Sequence, residues 1–482
     1  MADYGITGFG AYVPRLRLER AAIAAAHKWM APSLKGLGSG ERAFCSWDED
    51  TITMAVEAAR DCLGVGERDV IVAITLASTT FPYASLQNSA VAAGALALGN
   101  SVRTTDIGGS QRAGVTGLGQ ALRSTGDQVF VAADRLRAKP ASTLEMSYGA
   151  GAGAFRIGTE GVIARRLGGG SVLAQFVDHF RATDASYDYF WEERWIRDEG
   201  YAKLVPRAVH AALDNAGLAI GEITTLVMAS PLKGAVAGVA KSLGFTGQVA
   251  DSLDDCVGYA GTAHPLLMLV GVLESAKAGD RILVIGFGQG AEALILEVTD
   301  AIAGFQPKRG LARVIADKVV TGDYLRMLSF YRGIDVEWGM RGEATGKAAL
   351  TTLYRESHQL SAFVAGRCGA CGTIQFPQLA YCVKPDCNAP SDQFSAYPLT
   401  EDPAKVLTHT FDWLSYYPAP PMVVGFVQFD CGARLLMETV DIGAGGIDTR
   451  TPLRIVFRIK ESDKARGFNR YFWKATPLAE GV

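Results

Sequence analysis

The sequence predicts an α/β protein made of two related halves, followed by a small unit of short β-strands. A repeat, a recurring helix start and a late change of pattern point to this. LRSTGDQVFVAAD (122–134) matches LESAKAGDRILVIGF (273–287), each reading as a helix end, a Gly-Asp turn and a buried strand. Upstream, VIVAITLASTT (70–80) matches TTLVMASPLK (224–233), each an apolar strand that ends in small polar residues. Ala-Gly helix starts precede both Gly-Asp turns, at Ala113-Gly114 and Ala260-Gly261. Strands alternating with helical segments imply βαβ units and a mixed or parallel sheet.

Residues 301–340 read as a helical connector containing YLRMLSFYRG (324–333), and 341–361 as polar and helical. Short alternating stretches then follow: VVGFVQFD (423–430), ARLLMETV (433–440) and LRIVFRIK (453–460). Asp430-Cys431-Gly432 makes a hairpin turn between the first two. Short strands punctuated by turns predict a small barrel. The expected division is 1–340 and 341–482.

Composition sets bounds on partners. The chain has 482 residues, 49% apolar and 20% charged, with a net charge of −3, which is ordinary for a globular protein with a large core. Near-neutrality gives no global reason to expect nucleic acid or an anionic membrane. LLMLVGVL (266–273) is too short to span a bilayer, and MADYGITGFG lacks the basic segment and apolar run of a signal peptide. A cytoplasmic protein without membrane association is expected.

Four of the eight cysteines, Cys368, Cys371, Cys382 and Cys387, fall within CGACGTIQFPQLAYCVKPDC, while Cys45, Cys62, Cys256 and Cys431 are scattered. A CxxC pair followed by CxxxxC can close on one metal, and four thiolates satisfy tetrahedral zinc with no open position. The zinc expected here is structural, a staple for a ribbon too small to fold on its own core.

GITGFGAYVPRLRLER (5–20) followed by SWDEDTITMAVEAARDCLG (46–64) resembles the start of a hydroxymethylglutaryl-CoA synthase of archaeal or bacterial type. SYDYFWEERWIRDEG (186–200), VAKSLGF (239–245), YAGT (259–262) and GFGQG (286–290) continue the similarity in order, to about residue 335. The resemblance implies the duplicated thiolase fold, a CoA thioester as substrate and a homodimer. The tail, with GRCGACGTIQFP, is similar to the rubredoxin-like zinc-ribbon and OB-fold proteins that accompany thiolase-like enzymes. Those are usually separate chains, so a partner thiolase or hydratase is a further expectation.

The departures from that family decide the chemistry. Its cysteine nucleophile aligns with Gln111 in SQRAG, its acid–base glutamate with Thr79, its histidine with Ala229 and its asparagine with Val257. Covalent acyl transfer needs an activated nucleophile. Without one, the helix starts near Ala113 and Ala260 still offer unpaired N–H groups to a developing oxyanion such as a thioester enolate. Nucleophile-free thiolase-like proteins paired with zinc-ribbon and OB-fold partners include steroid side-chain aldolases acting on CoA thioesters. The resemblance thus implies, as the leading expectation, a lyase, a CoA-thioester aldolase that cleaves a β-hydroxyacyl-CoA without an acyl-enzyme. The alternatives are a condensing enzyme or acyltransferase of the synthase type, and a non-catalytic acyl-CoA-binding scaffold.

Candidate residues follow from these segments. His264, in the first turn of the second central helix, is either a neutral proton carrier or a helix histidine bonded to a neighbouring loop. Tyr259 either orients a hydroxyl or packs, and Tyr83 sits near the lost glutamate. Cys256 reads as a small buried thiol, and Asp254 and Asp255 as solvated loop carboxylates. Gln111 and Ser110 are placed on the substrate, Ser110 without an evident base for nucleophilic work. Lys233 and Lys241 either meet CoA phosphates or are solvated, and Gly288 and Gly290 in GFGQG would let a pantetheine arm approach the backbone. Tyr187, Tyr189, Phe190, Trp191 and Trp195 line an acyl channel or belong to the core. RIVFRIKESDKARGFNRYFWK (454–474) mixes basic and aromatic residues, as single-strand nucleic-acid binders do. Residues 356–482, however, hold 12 Lys and Arg against 13 Asp and Glu. A local phosphate patch or a solvated strand face fits that balance better, and no nucleic-acid partner is expected.

Overall fold

The computed structural model describes residues 4–64, 68–343, 346–443 and 445–478. Two compact units result. One takes the chain up to Ser46, Asp50–Ala90 and Gly99–Gly333; the other takes Trp47–Glu49, Val91–Leu98 and the chain from Ile334 onward.

In the first unit, ten strands form one sheet: β1 (Gly5–Tyr12), β2 (Ala73–Ala77), β3 (Arg103–Ile107), β4 (Gln128–Arg135), β5 (Ala150–Gly158), β6 (Ala164–Leu173), β7 (Thr225–Met228), β8 (Gln248–Val249), β9 (Arg281–Phe287) and β10 (Gly290–Val298). Their order across the sheet is β8-β7-β9-β10-β6-β1-β5-β4-β2-β3. Strand β2 lies parallel to β3 and β4, with β4–β5 and β5–β1 antiparallel. The other half copies this: β7 lies parallel to β8 and β9, with β9–β10 and β10–β6 antiparallel. The halves join where β1 meets β6. The duplicated α/β fold expected from the repeat is thus present strand for strand, and the matched segments are the equivalent pairs β2/β7 and β4/β9.

Helix α1 (Thr51–Leu63) is capped by Asp50, whose carboxylate accepts from Thr53 N while the Thr53 hydroxyl receives the Asp50 N–H. Helices α2 (Ala113–Ala121) and α4 (His264–Leu273) are the central pair, and α3 (Ala202–Ala216) packs on the second half. The Ala260-Gly261 start differs from expectation: a 3-10 turn, Gly261–Ala263, precedes α4. The central helices touch through missing side chains. A Cβ on Gly114 would fall 2.2 Å from the Thr262 carbonyl oxygen, whereas one on Gly119 would meet nothing within 4 Å.

The connector is less purely helical than its sequence implies. Helices Gly310–Ala316 and Tyr324–Phe330 flank a strand, Val319–Thr321, that pairs in parallel with Leu16–Glu19. Three residues carry too little periodicity to announce a strand.

In the second unit, β11 (Val364–Cys368) pairs with β12 (Ile374–Gln375) and β13 (Phe394–Pro398) to make the ribbon. Its four clustered cysteines hold their Sγ atoms within 4.8 Å of one another. Cys368–Cys387 and Cys371–Cys382 are 3.7 and 3.6 Å apart. Tetrahedral Zn–S bonds of about 2.3 Å require sulfur separations of about 3.8 Å, so the four thiolates fit one metal ion.

The barrel strands are β14 (Ala404–Val406), β15 (Thr410–Asp412), β16 (Met422–Phe429), β17 (Arg434–Thr439), β18 (Pro452–Asp463) and β19 (Phe468–Pro477). They run β14-β18-β19-β17-β16-β15, and a β14–β16 pairing closes a five-stranded barrel, with β15 appended. The expected turn at Asp430-Cys431-Gly432 links β16 to β17, with Gly432 at φ +96°. Two of the basic residues in the 454–474 stretch point inward. Lys474 pairs with Asp48 (3.0 Å) and Glu438 (2.9 Å), and Arg458 with Glu49 (3.1 Å) and Asp441 (2.8 Å). Among the described residues, no helix is long and apolar enough to cross a membrane.

The central contact yields a paired test. Gly114→Ala is expected to destabilise the first unit by about 2–3 kcal/mol through overpacking. Gly119→Ala, on the same helix in open space, should be neutral or stabilise by up to about 1 kcal/mol. Urea unfolding of both variants checks the contrast.

Candidate active site

The turn Ser110–Arg112 delivers the chain from β3 into α2 and leaves Gln111 buried, 6% exposed. Its side-chain carbonyl Oε1 accepts from the Tyr259 hydroxyl at 2.8 Å. Ser110 Oγ donates to the Gly288 carbonyl at 2.8 Å. The β9–β10 turn can lie this close to Ser110 only because Gly288 has no side chain. A Cβ on Gly288 would fall 2.6 Å from Ser110 Oγ, and one on Gly290 would fall 2.0 Å from the Val172 oxygen. Both glycines also hold positive φ, +151° and +118°. Four of the sequence candidates, Gln111, Ser110, Tyr259 and Gly288, therefore converge, and Gly290 completes the turn.

Tyr259 is fixed from both sides. Its N–H donates to Ser147 O (2.7 Å), and its carbonyl accepts from Gly149 N (2.8 Å). Burial pushes its phenol well above the usual pKa, so it remains a protonated donor to Gln111.

His264 is neutral, as its helix position implies, but the backbone occupies both ring nitrogens. Ala260 N donates to Nδ1 at 2.9 Å, and Nε2 donates to Ser252 O at 2.6 Å. Burial holds its pKa below the usual histidine value. This is the loop-bonded alternative, and neither nitrogen is left for a substrate proton.

Asp134, at the end of β4, is wholly buried and ties the halves together. It accepts from Ser78 Oγ (2.8 Å), Thr79 N (2.9 Å), Thr79 Oγ1 (3.0 Å), Thr80 Oγ1 (2.8 Å) and Thr262 N (2.8 Å). Thr79, which the sequence resemblance sets at the family's glutamate position, donates both its N–H and its hydroxyl to this buried carboxyl group. Two N–H groups at the second helix start, those of Ala260 and Thr262, are engaged by His264 and Asp134 and are not offered to a substrate. The oxyanion donors expected there are already in use.

The other candidates stay apart from this centre. Tyr83 is half-buried in a turn fixed by Asn88, whose Nδ2 donates to Tyr83 O at 3.0 Å. Lys233, Lys241, Asp254 and Asp255 are exposed. The Cys256 thiol points to the Leu253 carbonyl (3.7 Å), and burial raises its pKa, which disfavours a thiolate. Ala229 and Val257 are buried and apolar. Of the aromatic stretch, Phe190 packs against the core, while Tyr189, Trp191 and Trp195 are about half exposed.

One group of side chains escaped sequence reasoning. Asp178, His179, Arg181 and Asp188 lie against the end of β2, where Arg181 donates to Thr79 O and pairs with Asp188 at 2.6 Å. His179 Nδ1 lies 2.8 Å from the Asp178 carboxylate. Tyr148, beside Asp188, has its ring 6.3 Å from that of Tyr259, and burial plus the Asp188 charge raise its pKa. With only six histidines in the chain, an Asp-His pair was a signal available for reading.

No family model matches the chain. It is 32% identical over 361 residues to a hydroxymethylglutaryl-CoA synthase of Aeropyrum pernix, covering 72% of this chain and 96% of the relative. It is 29% identical over 336 residues to one of Thermococcus onnurineus, covering 67% and 93%. Among solved structures, MvaS in complex with 3-hydroxy-3-methylglutaryl coenzyme A superposes with a TM-score of 0.58 at 20% identity, covering 68% and 91%. The 3-oxoacyl-(acyl carrier protein) synthase III FabH of Pseudomonas aeruginosa superposes at 0.54 with 19% identity, covering 62% and 98%. With the fold duplicated on the thiolase pattern and near-complete coverage of relatives at this identity, the chain belongs to the hydroxymethylglutaryl-CoA synthase family.

Proposed function

We propose that this protein is an enzyme acting on an acyl-CoA thioester, and that it makes or breaks a carbon–carbon bond through an enolate without forming an acyl-enzyme. The CoA thioester comes from the relatives, which are named as synthases of hydroxymethylglutaryl-CoA, and from neighbours solved with that ligand or with CoA. The absence of an acyl-enzyme rests on one observation: a buried amide, that of Gln111, stands at the nucleophile position. Tyr259 holds its carbonyl, so the Nε2 hydrogens are left to donate to the thioester oxygen. A fixed, water-excluded donor at the site of developing charge is what an enolate requires.

The leading reading is cleavage. A base takes the β-hydroxyl proton, the Cα–Cβ bond breaks, and the electron pair is held as the enolate until Cα is reprotonated. Condensation passes through the same enolate in reverse, and the relatives of Aeropyrum pernix and Thermococcus onnurineus, both named as synthases, favour that direction. The reading further includes a structural zinc on Cys368, Cys371, Cys382 and Cys387, a homodimer and a cytoplasmic location.

Three measurements test this. Incubated with a panel of β-hydroxyacyl-CoAs, the protein should release a carbonyl product and a shortened acyl-CoA, at a rate unchanged by thiol alkylation or by Cys256→Ser. A stable acyl adduct found by mass spectrometry would defeat the non-covalent reading, and condensation without cleavage would select the synthase direction. Gln111→Ala should lower kcat by about 100- to 1,000-fold. Metal analysis should find about one zinc per chain; Cys371→Ser should unfold the ribbon, and a metal-free protein with a folded ribbon would sink the zinc assignment.

A further inference from the structure

We propose that His179 is the proton-transfer residue of this site, with Asp178 as its positioning residue, and that the pair replaces the carboxylate lost at Thr79. This rests on the enolate chemistry proposed above. Three features carry it. First, the pair lies where a base is needed: two residues on, Arg181 donates to Thr79 O, which holds the 178–181 segment against the end of β2. Second, the ring is set up as a base. With Nδ1 donating to Asp178 (2.8 Å), the lone pair sits on Nε2, which has no hydrogen-bond partner among the described residues. The His179 side chain is 12% exposed, so the ring is sheltered yet reachable. Third, a buried acceptor lies beside it without a partner among the described residues: the second Asp178 oxygen, Oδ1. Buried polar atoms are rarely left unpaired, and a hydroxyl on the substrate would satisfy this one. His264, by contrast, has both nitrogens bound to backbone.

The step balances without a further reagent. Nε2 accepts the β-hydroxyl proton, the C–O bond becomes C=O, and the Cα–Cβ pair moves onto the thioester as the enolate. The imidazolium then returns the proton to Cα, which regenerates the base and completes the shortened acyl-CoA. Condensation runs the same transfers backwards. Asp178, Asp188 and Asp134 face the ring as anions, and Arg181 pairs with Asp188. Burial lowers the pKa of His179, but the Asp178 hydrogen bond and these anions outweigh it and lift the pKa above the usual histidine value. Activity limited by His179 should therefore fall as pH drops through that raised value, where the base becomes protonated.

The experiment is α-proton exchange of acetyl-CoA and propionyl-CoA in D2O, followed by NMR, which reads enolate formation without needing the aldol partner. Wild-type protein should exchange. His179→Gln should slow exchange by about 100- to 10,000-fold with little change in KM. His179→Ala should regain rate with added imidazole. Asp178→Asn should move the acid limb of the pH profile to lower pH, because it removes the anion that raises the pKa; a purely structural role would leave that limb in place. Circular dichroism should show all three variants folded; if His179→Gln unfolds, imidazole rescue of His179→Ala and the Asp178→Asn limb carry the test. Exchange unchanged in His179→Gln would overturn His179 and leave the enolate reading standing. No exchange by the wild-type protein would overturn both.

Discussion

The frame of this site depends on one buried carboxyl group, that of Asp134. Asp134 gathers five donors, four from the end of β2 and one from the start of the second central helix. A carboxylate in a low-dielectric interior is tolerable only when its lone pairs are filled. The two halves must therefore stay in register for the anion to remain satisfied. Gly114 lets the central helices approach on the same side, and the backbone pairing of Tyr259 with Ser147 and Gly149 sets the tyrosine over Gln111.

Within that frame, the proposed function places the amide of Gln111 where the resemblance puts the family's thiol, and this changes the logic of the centre. A nucleophilic cysteine must lose a proton and be regenerated after each acyl transfer. The Gln111 amide does not titrate, and Tyr259 pins its carbonyl, so its donor face is set before any ligand arrives. Chemistry built on such a donor depends on a separate base, and that is why the Asp178–His179 pair carries so much of the reading.

The fold was largely legible in the sequence because duplication writes itself twice. β4 and β9 were matched by their Gly-Asp turns, β2 and β7 by their small polar ends, and the ribbon by cysteine spacing. Short elements were not legible: Val319–Thr321 owes its strand conformation to Leu16–Glu19, 300 residues away in the chain. Of the site, Gln111, which departs from the family pattern, and Tyr259, which lies in the retained YAGT stretch, were both singled out in the sequence and are bonded to each other in the structure. At His264 the sequence left two alternatives, and the ring is bonded to backbone at both nitrogens, as in the loop-bonded one; a helix-start position does not say which backbone groups will claim the ring. Asp178 and His179 are adjacent in the sequence and so were visible as a pair, but their placement at the end of β2 follows from the hydrogen bond of Arg181 to Thr79 O, a contact that no local pattern encodes.

The second unit is not a detachable tail. Trp47–Glu49 belong to it, and Asp48 and Glu49 supply counter-charges for the buried Lys474 and Arg458. A chain severed after Gly333 would strand both cations with half their anions missing, a defect of several kcal/mol each. Ribosomal synthesis therefore makes eleven of this unit's residues, Trp47–Glu49 and Val91–Leu98, well before the rest, so its core closes only once the last strand has emerged. Splitting the gene into two independent proteins would require those cations to be redesigned first.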